Sequence, residues 1–227
     1  MPNDINDIND TSDNCLPALN LEGETDAALA GEETKELPPE EAYTTRNIYL
    51  VQEDQPEERE QMGKCVRAGI DARLGLQALD RKYVAPVFTA NNAETVKELA
   101  LFREYSPDAN IFASLDLNMA ENEGGKRGTS DGLLYHPAGD LVHFLGNQGV
   151  IAVYSGNPDQ VQTSGFMDLQ REYENLAVLV ATKIDHSVDA VTNLLLNMME
   201  HPDAIPVLRD IAEKNHHKFG PVYDLLS

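Results

Sequence analysis

An aspartate at the end of an apolar run is the first place in this sequence where chemistry could gather. Ile111-Phe112-Ala113-Ser114-Leu115 leads directly into Asp116. Three other apolar runs end in comparable fashion: Asn47–Val51 on Gln52 and the acid pair Glu53-Asp54, Gly149–Tyr154 on Ser155, and Leu176–Ala181 on Thr182-Lys183. Carboxylates brought into one crevice raise each other's pKa and are costly without a counter-charge. A hard divalent cation relieves that cost, and Mg²⁺ does so while keeping waters and accepting a phosphoryl oxygen. In such a site Asp116 can stay ionised and act as a nucleophile toward phosphorus, forming an aspartyl-phosphate. Lys183 would pair with Asp116 before transfer and with the phosphoryl group after it, and the Ser155 hydroxyl could donate to a phosphoryl oxygen. Positioning and charge neutralisation are most of what phosphoryl transfer asks of a protein.

These side chains can meet only if the chain builds one sheet whose strand ends share an edge. The pattern predicts it. Asn47–Val51, Val84–Ala90, Asn110–Leu115, Gly149–Tyr154 and Leu176–Ala181 read as five short buried strands. Between them lie helical signals. Pro56 suits a first helical turn, and Met62, Val66, Ile70 and Leu74 recur every four residues, although Gly69 and Gly75 weaken that face. Asn91 with Glu94 is a capping-box-like start for a helix burying Val96, Leu99 and Phe102. A helix from about Pro137 would bury Leu141, Val142 and Leu145, and a less periodic one is expected within Pro158–Tyr173. The next carries Val188, Val191, Leu194, Leu195 and Met198 and closes at His201-Pro202. One more helix and a short apolar tail are expected over 203–227. Regular alternation of short apolar strands with helices argues an α/β fold with a parallel sheet covered on both faces. Right-handed crossovers make it doubly wound, and ligands then bind outside the carboxyl ends of the strands.

The remainder of the chain narrows the class of function. The net charge is −22 over 227 residues, which argues against nucleic-acid backbones and anionic membranes as partners. Residues 1–45 hold twelve Asp/Glu against Lys35 alone and lack apolar period, so they read as a disordered acidic tail. Cys15 and Cys65 stand outside any metal or redox spacing, as expected of reduced thiols in a cytoplasmic protein. The polar, Gly-rich stretch Ala120–Ser130 reads as a flexible loop, since Gly124–Gly128 lacks the spacing of a nucleotide phosphate loop. The six histidines have no ligand spacing, and His216-His217 are adjacent, which on a helix sends their rings different ways.

The ordered set of acid pair, Asp116-Leu117-Asn118-Met119, Ser155-Gly156 and Lys183 resembles the receiver domain of two-component response regulators, chemotaxis receivers among them. So does the text VFTANNAETVKELALFREYSPDANIFASLDLNM, over the second strand, second helix and third strand. The resemblance covers residues 46–200, leaving 201–227 as a C-terminal helical extension. It implies a flavodoxin-like five-stranded sheet of order 2-1-3-4-5 and Asp116 as the phosphoacceptor. It implies Mg²⁺ held by Glu53, Asp54, Asp116 and the backbone carbonyl of Asn118, with Ser155 as switch hydroxyl and Lys183 as phosphate-sensing lysine. A histidine kinase or phosphotransfer protein would be the donor, output would pass through protein contacts, and a homodimer is one possible form. Gln52 stands where the family usually has an acid, Val180 where it often has an aromatic, and Ile184 where proline usually follows the lysine. The last two, with the long 120–130 loop, motivate a second expectation: a degenerate receiver-like module that binds a protein partner independently of phosphorylation. A metal-dependent phosphatase would want an acid two residues after Asp116, where Asn118 stands.

Overall fold

A computed structural model describes residues 46–75, 83–117, 119–122, 126–128, 133, 139–156 and 165–226. In chain order these form β1 (Asn47–Gln52), α1 (Pro56–Gly75), β2 (Val84–Thr89), α2 (Asn92–Tyr105), β3 (Asn110–Leu115), β4 (Met119–Asn122) and β5 (Lys126–Gly128). They continue with α3 (Asp140–Leu145), β6 (Gly149–Ser155), α4 (Phe166–Glu172), β7 (Leu176–Thr182), α5 (Val188–Glu200), α6 (Ile205–Lys214) and α7 (Phe219–Leu226), a 3₁₀ turn at Pro202–Ala204 joining α5 to α6. The expected acidic tail, Cys15 and Asn118 lie outside the described residues. Among the described residues no helix is long and apolar enough to cross a membrane.

Five strands form one sheet in the order β2-β1-β3-β6-β7, every neighbouring pair parallel. Counted among themselves the strands run 2-1-3-4-5, the flavodoxin-like arrangement. Successive side chains on a strand point to opposite faces, and both faces are apolar here. Tyr49, Val51, Phe112, Val150, Ala152, Ala177 and Leu179 join Met62, Val66 and Ile70 of α1 and Val191, Leu194, Leu195 and Met198 of α5 in one buried cluster. Ile48, Leu50, Ile111, Ala113, Leu115, Ile151, Val153 and Val178 join Leu99 of α2, Leu141, Phe144 and Leu145 of α3 and Phe166 and Leu169 of α4 in the other. The two layers explain why the strands read as continuous apolar runs rather than as alternating ones.

Several local expectations are corrected. Helix α1 ends at Gly75, as the glycines suggest, but runs on through Gly69. A Cβ there would come within 2.5 Å of Leu196 Cδ1, so the glycine lets α1 lie close to α5. Helix α3 is described over Asp140–Leu145, with the expected start near Pro137 outside the described residues, and it buries Phe144 while Val142 is only half-buried. The stretch expected as a flexible loop contains an antiparallel pair, β4 with β5, in which Met119 faces Gly128 and Asn122 faces Lys126. Backbone pairing needs no apolar alternation, so composition carried no sign of it. The apolar tail is helix α7.

The C-terminal helices belong to the sheet's packing. Ile205, Leu208, Ala212, Phe219 and Val222 lie in the α1–α5 cluster. Between α6 and α7 the chain meets the outer edge of β7: Val180 N–H donates to His217 O (2.7 Å), and the His217 ring Nδ1 lies 3.0 Å from Val178 O. Gln170 of α4 fills a further position, its Oε1 accepting from Val178 N–H at 2.7 Å. An edge that would otherwise offer free donors and acceptors to another chain is thereby closed. His216 and His217 both have positive φ, 52° and 61°. With His217 N–H on Ala212 O (2.7 Å) and His216 N–H on Glu213 O (3.2 Å), α6 ends in a Schellman motif whose left-handed position is occupied by histidine instead of the usual glycine.

Candidate active site

The parallel register sets the first contact. Gln52 of β1 stands opposite Leu115 of β3. Asp116 N–H extends the ladder onto Gln52 O at 3.0 Å, and Glu53 N–H bonds Thr89 O at 3.0 Å. The first residues past both strands are therefore Glu53 and Asp116, side by side at the C-terminal edge. Each is almost fully buried, at 1% and 4% exposure. Asp54 follows, half-buried. One oxygen from each of Glu53, Asp54 and Asp116 can be chosen so that all three lie within 4.8 Å of one another.

Lys183 comes from two strands away. Its N–H bonds Ser155 O at 3.1 Å, which fixes the end of β7 to the end of β6. Strands in a sheet stand about 4.8 Å apart, so a side chain from beyond β7 must cross the tip of β6 to reach β3. A lysine stem spans that gap. Lys183 Nζ lies 2.8 Å from Asp116 Oδ2, 2.7 Å from Glu53 Oε2 and 2.6 Å from Glu58 Oε2. Tyr154 of β6 lies beneath it, its ring centroid 5.9 Å from Nζ and its hydroxyl donating to His186 O at 3.0 Å.

The charges follow from burial and pairing. Burial pushes the Glu53 carboxyl up to about 7, with the hydrogen bond and charge of Lys183 limiting the rise. Burial alone would pull Lys183 down, but its bonds to Asp116, Glu53 and Glu58 outweigh that and hold it above the ordinary lysine range. The ammonium is thus a resident counter-ion among carboxylates from β1, β3 and α1.

The turn from β1 into α1 holds the acids in place. Arg59 Nη1 donates to the carbonyls of Glu53 (2.6 Å) and Asp54 (3.4 Å), and Gln55 N–H donates to Glu53 Oε1 at 3.2 Å. Gln52 points elsewhere. Its Nε2 donates to Asn92 Oδ1 (2.8 Å) and Thr95 Oγ1 (3.0 Å) of α2. Gln52 therefore ties the end of β1 to α2 and does not join the acid cluster.

Asp116, Glu53, Asp54 and Lys183 are thus brought together as the sequence predicts. Ser155 is buried at the same edge and joined to Lys183 through the backbone. Glu58 was not anticipated, although the run Glu57-Glu58 in the first turn of α1 was a usable signal, since a helix leaving β1 begins at this edge. Val180 keeps its place on β7, half-buried and tied to His217, and Ile184 beside Lys183 is 82% exposed. Neither a family model, nor a curated protein, nor a solved structure matches the chain significantly.

The donor set suits a hard cation. Glu53, Asp54 and Asp116 offer only oxygen, on neighbouring tips, with no sulfur or imidazole among them. All-oxygen donor sets are taken by hard divalent cations, whereas a transition metal would more often draw histidine or cysteine.

Proposed function

We propose that the chain is a phosphoacceptor receiver protein of a two-component phosphorelay, phosphorylated on Asp116 with Mg²⁺ and signalling through protein contacts. The observation that carries this reading is the meeting of Asp116 with Glu53, Asp54 and Lys183 at one sheet edge, from three separate strand tips. Glu53, Asp54 and Asp116 would hold the Mg²⁺, which supplies neutralisation of the charge on the incoming phosphoryl oxygens. A carboxylate oxygen of Asp116 forms the new bond to phosphorus. The bond from phosphorus to the donor breaks, to the imidazole nitrogen of a phosphohistidine or to the carboxylate oxygen of an acyl phosphate, and the donor leaves with the electron pair. Lys183, already within hydrogen-bond distance of Asp116, transfers its contact to the phosphoryl oxygens, and the Ser155 hydroxyl supplies a second donor. A histidine kinase or phosphotransfer protein is the donor that fits this chemistry. The chain is then no enzyme acting on a separate substrate.

The test is titration of the full chain with Mg²⁺ and then beryllofluoride, followed by amide NMR. Shifts at Asp116, Ser155 and Lys183 that need both additions, and that Asp116→Asn abolishes, support the reading. Saturating additions that leave those amides unmoved refute it.

One feature favours a second reading, in which a partner binds regardless of phosphorylation. Val180 carries no ring to rotate, and its backbone is held by His217. Equal partner affinity for the wild type and Asp116→Asn would establish that reading in place of the first.

A further inference from the structure

The geometry points to Glu58 as a positioning residue that berths Lys183, holding its ammonium ready for the phosphoryl group on Asp116. This inference rests on the phosphoacceptor reading above. An ammonium has three N–H donors and no acceptor. Here three carboxylate oxygens lie at hydrogen-bond distance from it, on Asp116 (2.8 Å), Glu53 (2.7 Å) and Glu58 (2.6 Å). Two of those partners have other work in the cycle. Asp116 receives the phosphoryl group, so its donor passes to a phosphoryl oxygen. Glu53 belongs to the set of oxygens that suits a cation. Glu58 has neither task, as it lies outside that set, on α1, with 39% of its side chain exposed. It is the one anchor that stays available throughout. A long lysine side chain loses rotamer entropy when fixed, and a constant anchor means that cost is met before the phosphoryl group arrives. Glu57, one residue earlier, carries the same charge but is exposed and has no contact with Lys183 among the described interactions.

The sign of the effect separates this role from a general charge effect. Removing a nearby negative charge should tighten binding of anionic beryllofluoride if only repulsion matters. Removing a berth should weaken it, because Lys183 is no longer held in place. The experiment uses the full chain with Mg²⁺ and beryllofluoride, comparing wild type, Glu58→Gln, Glu57→Gln, Lys183→Met and the Glu58→Gln/Lys183→Met double variant. Alongside it, ¹³C relaxation of the Lys183 Cε methylene is measured without either addition. Expected are roughly fivefold weaker beryllofluoride binding and a more mobile Cε in Glu58→Gln, neither change in Glu57→Gln, and no further loss when Glu58→Gln is added to Lys183→Met. Tighter or unchanged binding in Glu58→Gln, or a penalty that persists without Lys183, overturns the inference. Should wild type bind no beryllofluoride, the phosphoacceptor reading fails, and the Cε measurement alone then decides the berth: unchanged mobility in Glu58→Gln refutes it.

Discussion

At the level of single residues the site is an electrostatic balance around one ammonium. Lys183 is the shared counter-charge of buried Glu53 and Asp116 and the partly exposed Glu58. Removing one member of a buried ion pair leaves an uncompensated charge, which costs about 3 kcal/mol or more. Lys183→Met should therefore lower the midpoint of thermal unfolding by several degrees in chelator, and Mg²⁺ should restore more of it than it adds to the wild type. A variant as stable as wild type in chelator would show that the lysine is not the counter-ion described here. Asp116 and Lys183 were legible because each ends an apolar run. Glu58 was not, because a glutamate in a first helical turn already has an ordinary explanation in the helix dipole. Gln52 shows the converse. Its place in the sequence suggested a missing acid, whereas its amide is committed to Asn92 and Thr95.

Among the elements, the junction of α6 with the β7 edge carries the most unusual backbone. A non-glycine residue in the left-handed region costs about 1 kcal/mol. His216 is exposed and makes no described side-chain bond, while the His217 ring reaches Val178 O. His216→Gly should accordingly raise the unfolding midpoint by about 2 °C, the shift expected of a gain somewhat under 1 kcal/mol in a fold of this size. His217→Gly should lower it. Denaturation followed by circular dichroism checks both, and a midpoint in His216→Gly at or below that of wild type would contradict the strain assigned to that position. Neighbouring histidines gave no hint of this geometry, since a Schellman ending is usually marked by glycine. The β4–β5 pair was equally invisible. The cap of α2 was readable, because Asn91 accepts from Glu94 N–H at 2.9 Å as Asn-x-x-Glu predicts, while the Glu94 carboxylate reaches one residue further back, to Ala90 N–H at 2.7 Å.

Across the whole molecule, the alternation of apolar runs and amphipathic stretches carried the layered α/β arrangement, because both faces of a parallel sheet must be covered. The part that composition could not convey is how far the C-terminal helices enter the fold. Ile205, Leu208, Phe219 and Val222 are buried with α1 and α5, and each such side chain contributes on the order of 1.5–3 kcal/mol. Their sum rivals the entire stability of a typical domain. A chain ending after His201 should therefore fail to unfold cooperatively, and it should self-associate in size-exclusion chromatography through the exposed β7 edge. A monomeric, cooperatively melting truncation would contradict the packing described here.

The most direct test of the central claim is the intact mass of the full chain after incubation with acetyl phosphate and Mg²⁺. The account predicts a gain of one phosphoryl group that maps to Asp116, disappears when Mg²⁺ is chelated beforehand, and is absent in Asp116→Asn. An unchanged mass under saturating donor, or a phosphoryl group that persists in Asp116→Asn, would contradict it.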